Sequence, residues 1–315
     1  MTKANHPEDL VIARLRKNNL GDLATLYNAV YGKQRDVGYF EKKYDTHYTG
    51  VVYTGFIAYN KKGLPVSYYG VIPTKLTYKG QVILAAQSTD TMTHPAYRNK
   101  GLFTELAEKT FELCKTEGIK LVFGFPNQNS LPGFINKLHW HITDYMDCFV
   151  IPVNSFVPWQ KIGSKLSILK PVISYYQRQV LKKYLVNKPG VVNSALTDGF
   201  DGVLRDEAYL KYKTFSPTRV IKIGTSEIWI KTGDSLQVGD IMVTDFDVTM
   251  NKLIKLAGKM GLRDVQFQAS PGTSLYTLFA ERYKAIPSFP VIFKDLDAGI
   301  KTENIKFTFA DIDIF

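Results

Sequence analysis

The sequence predicts an α/β (α+β) fold in which a mixed sheet is flanked by helices, in two tandem copies. In the first half, a meander of apolar strands is followed by strand, helix, strand, helix and strand. This order places neighbouring parallel strands beside an antiparallel meander. Parts of the first half recur at an offset of about 143 residues, and a period this long suggests two copies of one domain.

Periodicity locates the elements of the first half. Leucines at helical spacing predict a first helix that ends at Gly32, and the turn at 61–63 separates two strands of a hairpin. A long strand is predicted from Val82 to Thr93, because Pro95 just beyond it cannot donate to a ladder. A helix with a buried apolar stripe follows over about 101–117.

The repeat defines the predicted domains. The buried-type strand in Gly118–Pro126 is echoed by Gly261–Pro271, and each is followed by a helix. An amphipathic helix precedes each of these strands, as expected for two copies of one unit. The predicted ranges are a first domain at 1–153, a helical connector at 154–190 and a second domain at 191–315.

Composition excludes several classes of protein. Apolar residues make up 45% of the 315 residues, which is ample for hydrophobic cores. Cys114 and Cys148 belong to no CxxC pair, so neither a disulfide framework nor a redox motif is expected. The N-terminal residues lack the apolar stretch of a secretory signal, and no run reaches the ~18 apolar residues of a membrane span. We therefore expect a cytoplasmic protein.

The net charge of +11 is dispersed along the chain rather than gathered in a basic block. This pattern favours a basic surface for anionic cofactors and substrates over nucleic-acid binding. Residues 161–186 form a basic amphipathic stretch, interrupted by Pro171, of a kind that can lie on a membrane surface. We expect this stretch instead to be the connector, and the sequence indicates no oligomeric state.

The segment Thr91–Phe103 joins a strand to the start of a helix. The first amides of a helix lack internal partners and the helix dipole is positive there, so this junction favours anion binding. Gly101 lets the backbone approach an anion closely, while Arg98 and Lys100 supply charge for a diphosphate. The spacing matches neither a P-loop nor a GxGxxG motif.

The run His94–Phe103, followed by a helix, resembles the pyrophosphate loop of the GNAT acetyltransferases. The family pattern is Gln/Arg-x-x-Gly-x-Gly/Ala. Arg98 and Gly101 match its first two fixed positions, and Phe103 departs from the third, which often takes a small residue.

Downstream, Asn127–Ser130 and Lys137–Trp140 resemble the family's second motif, an Asn that opens a helix ending in Lys-Leu-Gly-Phe. The resemblance covers residues 10–153 in architecture and is sharp over 82–140. It implies that the first domain binds an acyl-CoA. The second domain would be a degenerate copy, since its predicted helix is not preceded by Arg-x-x-Gly.

The resemblance implies acetyl-CoA or another acyl-CoA as cofactor. Backbone amides of the loop would hold the CoA diphosphate. Main-chain groups of Met92 and Thr93 would pair with the pantetheine arm, where two parallel strands splay apart. The cofactor-binding residues implied are Met92, Thr93, Arg98, Asn99, Lys100, Gly101, Leu102, Phe103, Asn127 and Asn129.

The resemblance also implies direct attack of an amine on the thioester. Asp90 is the candidate general base, because acidic residues on this strand serve that role in many family members; otherwise it is an ion-paired or solvated strand residue. The usual acid is a Tyr in the second helix, where this sequence has Ile135. Tyr145 and His139 are considered as substitutes.

Other chemistry finds little support. The histidines have no metal-ligand spacing, so no metal is expected, and no nucleophile elbow indicates a covalent hydrolase. Four carboxylates of the second half could meet an acceptor, but we expect them in solvated segments. They are Asp206, Glu207, Asp311 and Asp313.

The predicted function is acyl-CoA-dependent N-acyl transfer to a small amine, such as an amino sugar or a sugar nucleotide. Two alternatives remain open. A tandem aminoacyl transferase that uses charged tRNA is favoured by the repeat and the positive charge. A catalytically inactive acyl-CoA-binding or regulatory module is favoured by the missing Tyr.

Overall fold

The computed structural model describes residues 10–154 and 170–315. The chain forms two compact units, and neither is a continuous stretch of sequence. The first unit contains the residues up to 143 together with 290–303; the second contains 144–289 and 304–315. These divisions differ from the predicted ranges 1–153, 154–190 and 191–315.

Both units contain helices as well as strands, as the predicted α/β class requires. The helices of the described residues are α1 Leu20–Tyr31, α2 Val37–Tyr44, α3 Leu102–Thr116, α4 Leu131–Leu138, α5 Lys170–Lys182, α6 Ser194–Thr197, α7 Glu207–Tyr212, α8 Phe246–Lys259 and α9 Ser274–Ala280. The strands are β1 Val11–Arg14, β2 Thr54–Tyr59, β3 Pro65–Tyr78, β4 Gln81–Thr93, β5 Leu121–Gly124, β6 His141–Pro152, β7 Leu185–Val186, β8 Gly202–Val203, β9 Thr218–Ile223, β10 Ser226–Thr232, β11 Leu236–Met242, β12 Asp264–Ala269 and β13 Ala285–Asp295.

The first unit has a mixed sheet in the order β1-β2-β3-β4-β5-β13. All neighbours are antiparallel except β4 and β5, which pair in parallel at Ala85–Gln87 with Leu121–Phe123. The pairing ends after these three positions, so β4 and β5 separate toward the end of β4. This confirms the predicted mixed sheet with flanking helices.

The helices of the first unit end where the sequence predicts. The first helix buries Leu20, Leu23 and Leu26 and stops at Gly32, whose φ of 64° is left-handed. The helix α3 buries an apolar stripe against the sheet, and Gly118, at φ 80°, lies just beyond its end. Both stops use the freedom of glycine to adopt a conformation that other residues reach only with strain.

The second unit repeats the central arrangement. Its sheet runs β6-β12-β11-β10-β9-β7, and its parallel pair is β11 with β12. That pair again covers three positions, Leu236–Val238 with Val265–Phe267. Helix α8, which precedes β12, is followed by Gly261 at φ 70°, as α3 is by Gly118. The echo in the sequence thus corresponds to two similar strand–helix–strand arrangements.

In each unit, the strand next to the parallel pair comes from the other half of the sequence. In the first unit, residues 292–295 of β13 lie antiparallel to β5. In the second unit, residues 147–152 of β6 lie antiparallel to β12. This exchange explains why the units depart from the predicted ranges.

Some elements escaped prediction. The edge strand β1 precedes the first predicted helix, where the sequence predicted no strand, and the eight-residue helix α2 was not predicted either. Of the predicted connector, residues 155–169 lie outside the described residues. The remainder includes α5, whose Leu181 is buried in the core of the second unit.

The described residues contain neither a membrane-spanning helix nor a metal-binding cluster. No helix among them has the length and apolar character needed to cross a bilayer. Within the same part of the chain, no group of three or more His, Cys, Asp or Glu side chains is arranged to hold a metal ion.

Candidate functional site

A pocket of about 250 Å³ opens in the first unit between the end of β4 and the starts of α3 and α4. Its lining residues are Thr91, Thr93, Tyr97, Arg98, Asn99, Gly101, Leu102, Phe103, Thr104, Asn129, Ser130, Gly133 and Lys137. The pocket therefore brings together most of the predicted cofactor residues. Those that line it are Thr93, Arg98, Asn99, Gly101, Leu102, Phe103 and Asn129.

The start of α3 forms one wall of this pocket. Gly101 is the N-cap residue at φ 80°, and it has no side chain with which to cap the first turn. Asn99, two residues earlier, is also left-handed at φ 63°. Since the residues of the first turn line the pocket, their amides and the positive end of the helix dipole are available to an anion there.

Two exposed cations flank this helix start. Arg98 belongs to the loop before α3, and Lys137 reaches the pocket from the last turn of α4. Lys100 does not line the pocket: its Nζ lies 4.7 Å from the centroid of the Tyr97 ring, a cation–π contact. The charge that faces the pocket therefore comes from Arg98 and Lys137.

Phe103, the departure from the family pattern, fits because the opposite wall is a glycine. A Cβ placed on Gly133 would lie 3.1 Å from Phe103 Cε1. The Phe103 ring packs edge-on against Tyr69 and Phe134, with centroid separations of 5.9 and 5.4 Å. The large Phe103 side chain on α3 thus fits because Gly133 on α4 has no side chain, and the Phe103 ring lines the pocket.

The two predicted main-chain contacts on β4 differ in geometry. The Met92 carbonyl accepts a hydrogen bond from Ser67 Oγ at 3.0 Å, and the His94 amide donates to the carbonyl of Val66. Alternate residues of a strand direct their main-chain groups to the same side, so Met92 and His94 both face β3. Thr93, between them, directs its main-chain groups toward the gap.

The two predicted asparagines also differ. Asn127 Oδ1 accepts hydrogen bonds from the amides of Asn129 and Ser130 at 2.9 and 3.1 Å, so this side chain shapes the turn before α4. Asn129 is exposed and lines the pocket. The Asn127 side chain therefore stabilises the turn before α4, and Asn129 lines the pocket.

Asp90 lies at a bulge of β4. In the β3–β4 ladder, Thr89 pairs with Gly70 and Met92 pairs with Tyr68, so Asp90 and Thr91 together oppose a single residue of β3. Asp90 has a φ of 49°, which aspartate tolerates better than most side chains. One residue of the bulge, Thr91, lines the pocket.

The Asp90 carboxylate forms an ion pair and accepts a further hydrogen bond. Its Oδ2 accepts hydrogen bonds from Lys43 Nζ at 2.7 Å and from the Tyr44 hydroxyl at 2.8 Å, both from α2. Lys43 is almost wholly buried and also donates to Thr89 Oγ1 at 2.9 Å. Burial, reinforced by the nearby Asp90 charge, raises the pKa of Tyr44 well above its usual value.

The usual position of the acid, held by Ile135, and the two candidate substitutes, Tyr145 and His139, do not share a site. Ile135 packs against the core of the first unit and carries no proton to give. Tyr145 is 49% exposed on β6 and belongs to the second unit. His139 is exposed at the end of α4, where its φ of 55° terminates the helix. None of these three residues lines the pocket.

In the second unit, the gap between the parallel strands is occupied by the chain itself. Thr308 bridges to Ala269 at the end of β12, and its hydroxyl lies 3.3 Å from Asp240 Oδ2 on β11. A Cβ on Gly239 would lie 2.3 Å from the ring of Phe315. We call residues 305–315 the tail segment; it spans from one strand of the separated pair to the other.

A buried charge network holds the tail segment. The Arg205 guanidinium donates to Asp240 at 2.6 Å, to Asp311 at 2.8 Å and to the Thr308 hydroxyl at 2.7 Å. All three charged side chains are fully buried. The expectation that Asp311 is solvated is therefore wrong. Asp206, which is partly buried, caps α7 by accepting a hydrogen bond from the Tyr209 amide.

Comparisons with known proteins agree with this geometry. Residues 11–143 match the family model described as the acetyltransferase (GNAT) domain. We call residues 11–143 the GNAT domain after this match. The match covers β1 to β5, α1 to α4 and the whole lining of the pocket. No protein of curated function shows significant sequence similarity to the chain.

Solved structures show the same fold. The chain is similar to a GCN5-related N-acetyltransferase from Kribbella flavida, with a TM-score of 0.60 at 12% identity. The similarity covers 92% of this chain and 72% of the Kribbella flavida protein. A GCN5-related N-acetyltransferase from Anabaena variabilis matches over 92% of this chain and 73% of its own, with a TM-score of 0.56 at 13% identity. At such identities the likeness establishes the fold.

Sequence reasoning missed several residues of the site. Gly133 and Lys137 follow Ser130 at helical spacing, so a helical projection from Ser130 would have placed all three on one face. Lys43 carried no comparable signal, because its short helix is polar and its partner Asp90 is distant in sequence.

Proposed function

We propose that the GNAT domain binds acyl-CoA in the pocket at the start of α3 and transfers the acyl group to a small amine. The observation that carries the proposal is the uncapped first turn of α3, which opens into a pocket flanked by Arg98 and Lys137. Free amides, a positive helix end and two cations together suit a diphosphate.

The same geometry divides the work among the residues. The amides of Leu102, Phe103 and Thr104 would hold the diphosphate, with Arg98 and Lys137 pairing its charge. The main-chain groups of Thr93, in the gap where β4 leaves β5, would align the pantetheine arm beside the strand. An amine held next to the thioester would then attack the carbonyl carbon, expelling the CoA thiolate.

Proton transfer would use other groups than those first predicted. Asp90 would have to give up its ion pair with Lys43 before it could accept a proton, and Ile135 has none to donate. We propose that the attacking amine loses its proton to water or to a group of the acceptor itself. This places the main catalytic contribution in positioning.

Isothermal titration with CoA and acetyl-CoA tests the cofactor site. We expect one molecule per chain, because the tail segment fills the corresponding gap of the second unit. Arg98→Met and Lys137→Met should each weaken binding about 10-fold or more, as expected for loss of a charged hydrogen bond. The matched control is Lys109→Met, an exposed lysine of α3 outside the pocket, which should bind CoA as the wild type does.

Absence of heat at about 100 µM CoA would refute the proposed function, since weaker binding would not suit a cofactor site. Equal losses in all three variants would show that net charge, rather than the pocket, determines binding.

A second candidate, an acyl-CoA-binding module without turnover, is favoured by the occupied Asp90 carboxylate and by Ile135 at the usual acid position. The two candidates separate when bound acetyl-CoA is mixed with a panel of small amines and free CoA is measured. Release of CoA above the rate without amine supports transfer. Binding without such release supports the module.

A further inference from the structure

We infer that Lys43 and Asp90 are positioning residues, which hold the bulge of β4 in the shape that opens the cofactor gap. The inference rests on the proposed acyl-CoA function but concerns a different part of the GNAT domain. It replaces a general-base role for Asp90 with a structural pair whose effect reaches the ligand through the main chain of β4.

The bulge is the point at which β4 leaves its neighbour. Parallel pairing with β5 ends at Gln87, and the extra residue enters the β3–β4 ladder between Thr89 and Met92. Such an insertion bends a strand and increases its twist. Thr91, in the bulge, and Thr93, just after it, line the pocket. The shape of the bulge therefore determines where these residues stand.

Side chains from two helices fix this short stretch. From α2, Lys43 Nζ binds both the Asp90 carboxylate and Thr89 Oγ1, at 2.7 and 2.9 Å. The Tyr44 hydroxyl adds a second donor to Asp90, and from α1 the Tyr31 hydroxyl lies 3.4 Å from the Thr91 carbonyl oxygen. Consecutive residues of the bulge thus each have a partner outside the sheet.

The burial of the pair explains why it is effective. The Lys43 side chain is 2% exposed and that of Asp90 is 15% exposed, so water competes poorly for either charge. A buried ion pair that loses one partner leaves an uncompensated charge, which drives the surrounding structure to rearrange. Asp90 also holds a left-handed backbone conformation, so rearrangement here would release the bulge.

Lys43→Met tests the inference, with the adjacent exposed Lys42→Met as matched control. We expect Lys43→Met to weaken CoA binding about 10-fold or more, as for one or two lost hydrogen bonds, while Lys42→Met binds normally. The double variant Lys43→Met/Asp90→Asn should recover most of the affinity. It has no unpaired charge, and asparagine suits the left-handed conformation.

Hydrogen exchange of the ligand-free proteins gives an independent readout. In Lys43→Met, the amides of residues 89–93 should exchange faster than in the wild type, while those of β2 should not change. If the wild type binds no CoA, the proposed function fails, and the exchange comparison still decides the role of the pair.

Three results would overturn the inference. The first is wild-type CoA affinity in Lys43→Met measured well below its melting temperature. The second is uniform acceleration of exchange over the whole GNAT domain, which would show a general loss of stability. The third is a double variant that melts like the wild type and yet binds CoA as weakly as Lys43→Met.

Discussion

Replacing Arg205 by methionine should destabilise the second unit severely. The guanidinium is the cation between two carboxylates, Asp240 and Asp311, and all three side chains are fully buried. Burial opposes the charged form of Arg205, but the two carboxylates outweigh it and raise the pKa of the guanidinium. Methionine would keep much of the volume and remove every one of these interactions.

The magnitude follows from the charges left behind. Removing one partner of a buried ion pair typically lowers the free energy of unfolding by about 3–5 kcal/mol. Here a single substitution leaves two buried carboxylates and also removes a donor to the Thr308 hydroxyl. We therefore expect Arg205→Met to reach at least the upper end of that range.

Urea unfolding followed by circular dichroism measures the loss, and hydrogen exchange of β11 locates it. The matched control is Arg282→Met, because Arg282 also lies between two carboxylates, Asp247 at 2.6 Å and Glu281 at 2.9 Å. These carboxylates are 64% and 59% exposed, so the loss of Arg282 should change little. Adding Asp240→Asn and Asp311→Asn to Arg205→Met should restore part of the stability.

The deficit should also depend on pH. Burial already raises the pKa of Asp311 in the presence of Arg205, and losing the cation raises it further. A raised carboxyl pKa makes the folded state bind more protons than the unfolded state, so the deficit should shrink as pH falls from 7 toward about 5. A deficit within about 1 kcal/mol of zero at pH 7 would refute the reasoning, since it would mean that the network is not needed.

Two further predictions concern the second unit. Gly239→Ala should lower the free energy of unfolding of this unit by about 1–3 kcal/mol, because the new Cβ would lie 2.3 Å from the Phe315 ring. The control Gly233→Ala should be tolerated, because its Cβ would have no atom within 4 Å. Equal melting temperatures of the two variants would contradict the close contact between Gly239 and Phe315. Burial lowers the pKa of Lys213 to about 7, so stability should rise between pH 7 and 10.5, by at most about 1.4 kcal/mol per pH unit. Urea unfolding at several pH values measures this rise, and Lys213→Met should reduce it. An unchanged dependence of the unfolding free energy on pH in Lys213→Met would show that Lys213 is not its cause.

Local signals made much of the candidate site predictable. Arg98 and Gly101 lie a few residues apart at a strand–helix junction, so the loop and its preference for anions could be read directly from the sequence. Gly32 and Gly118 marked helix ends for the same reason. In each case, the deciding physics acts over about one helical turn.

Features that depend on distant partners could not be predicted. The bulge at Asp90 exists because of its register with β3, and the partner Lys43 lies on a helix too short and polar to show a clear period. Asp311 looked like a solvated tail residue, and its burial depends on Arg205, 106 residues away. The apolar patterns also did not reveal that β13 pairs with β5 and β6 with β12. The alternation of apolar residues shows which face of a strand is buried, but it does not show which neighbouring strand pairs with it.

The exchange of strands between sequence halves affects how the protein is made. As the chain leaves the ribosome, the GNAT domain has its loop, pocket and parallel strands by residue 143, but the free edge of β5 waits for residues 292–295. An unpaired strand edge invites pairing with other chains. The first unit is thus completed only after residues 292–295 have been made, and a fragment cut after residue 153 would expose the edge of β5 that these residues cover.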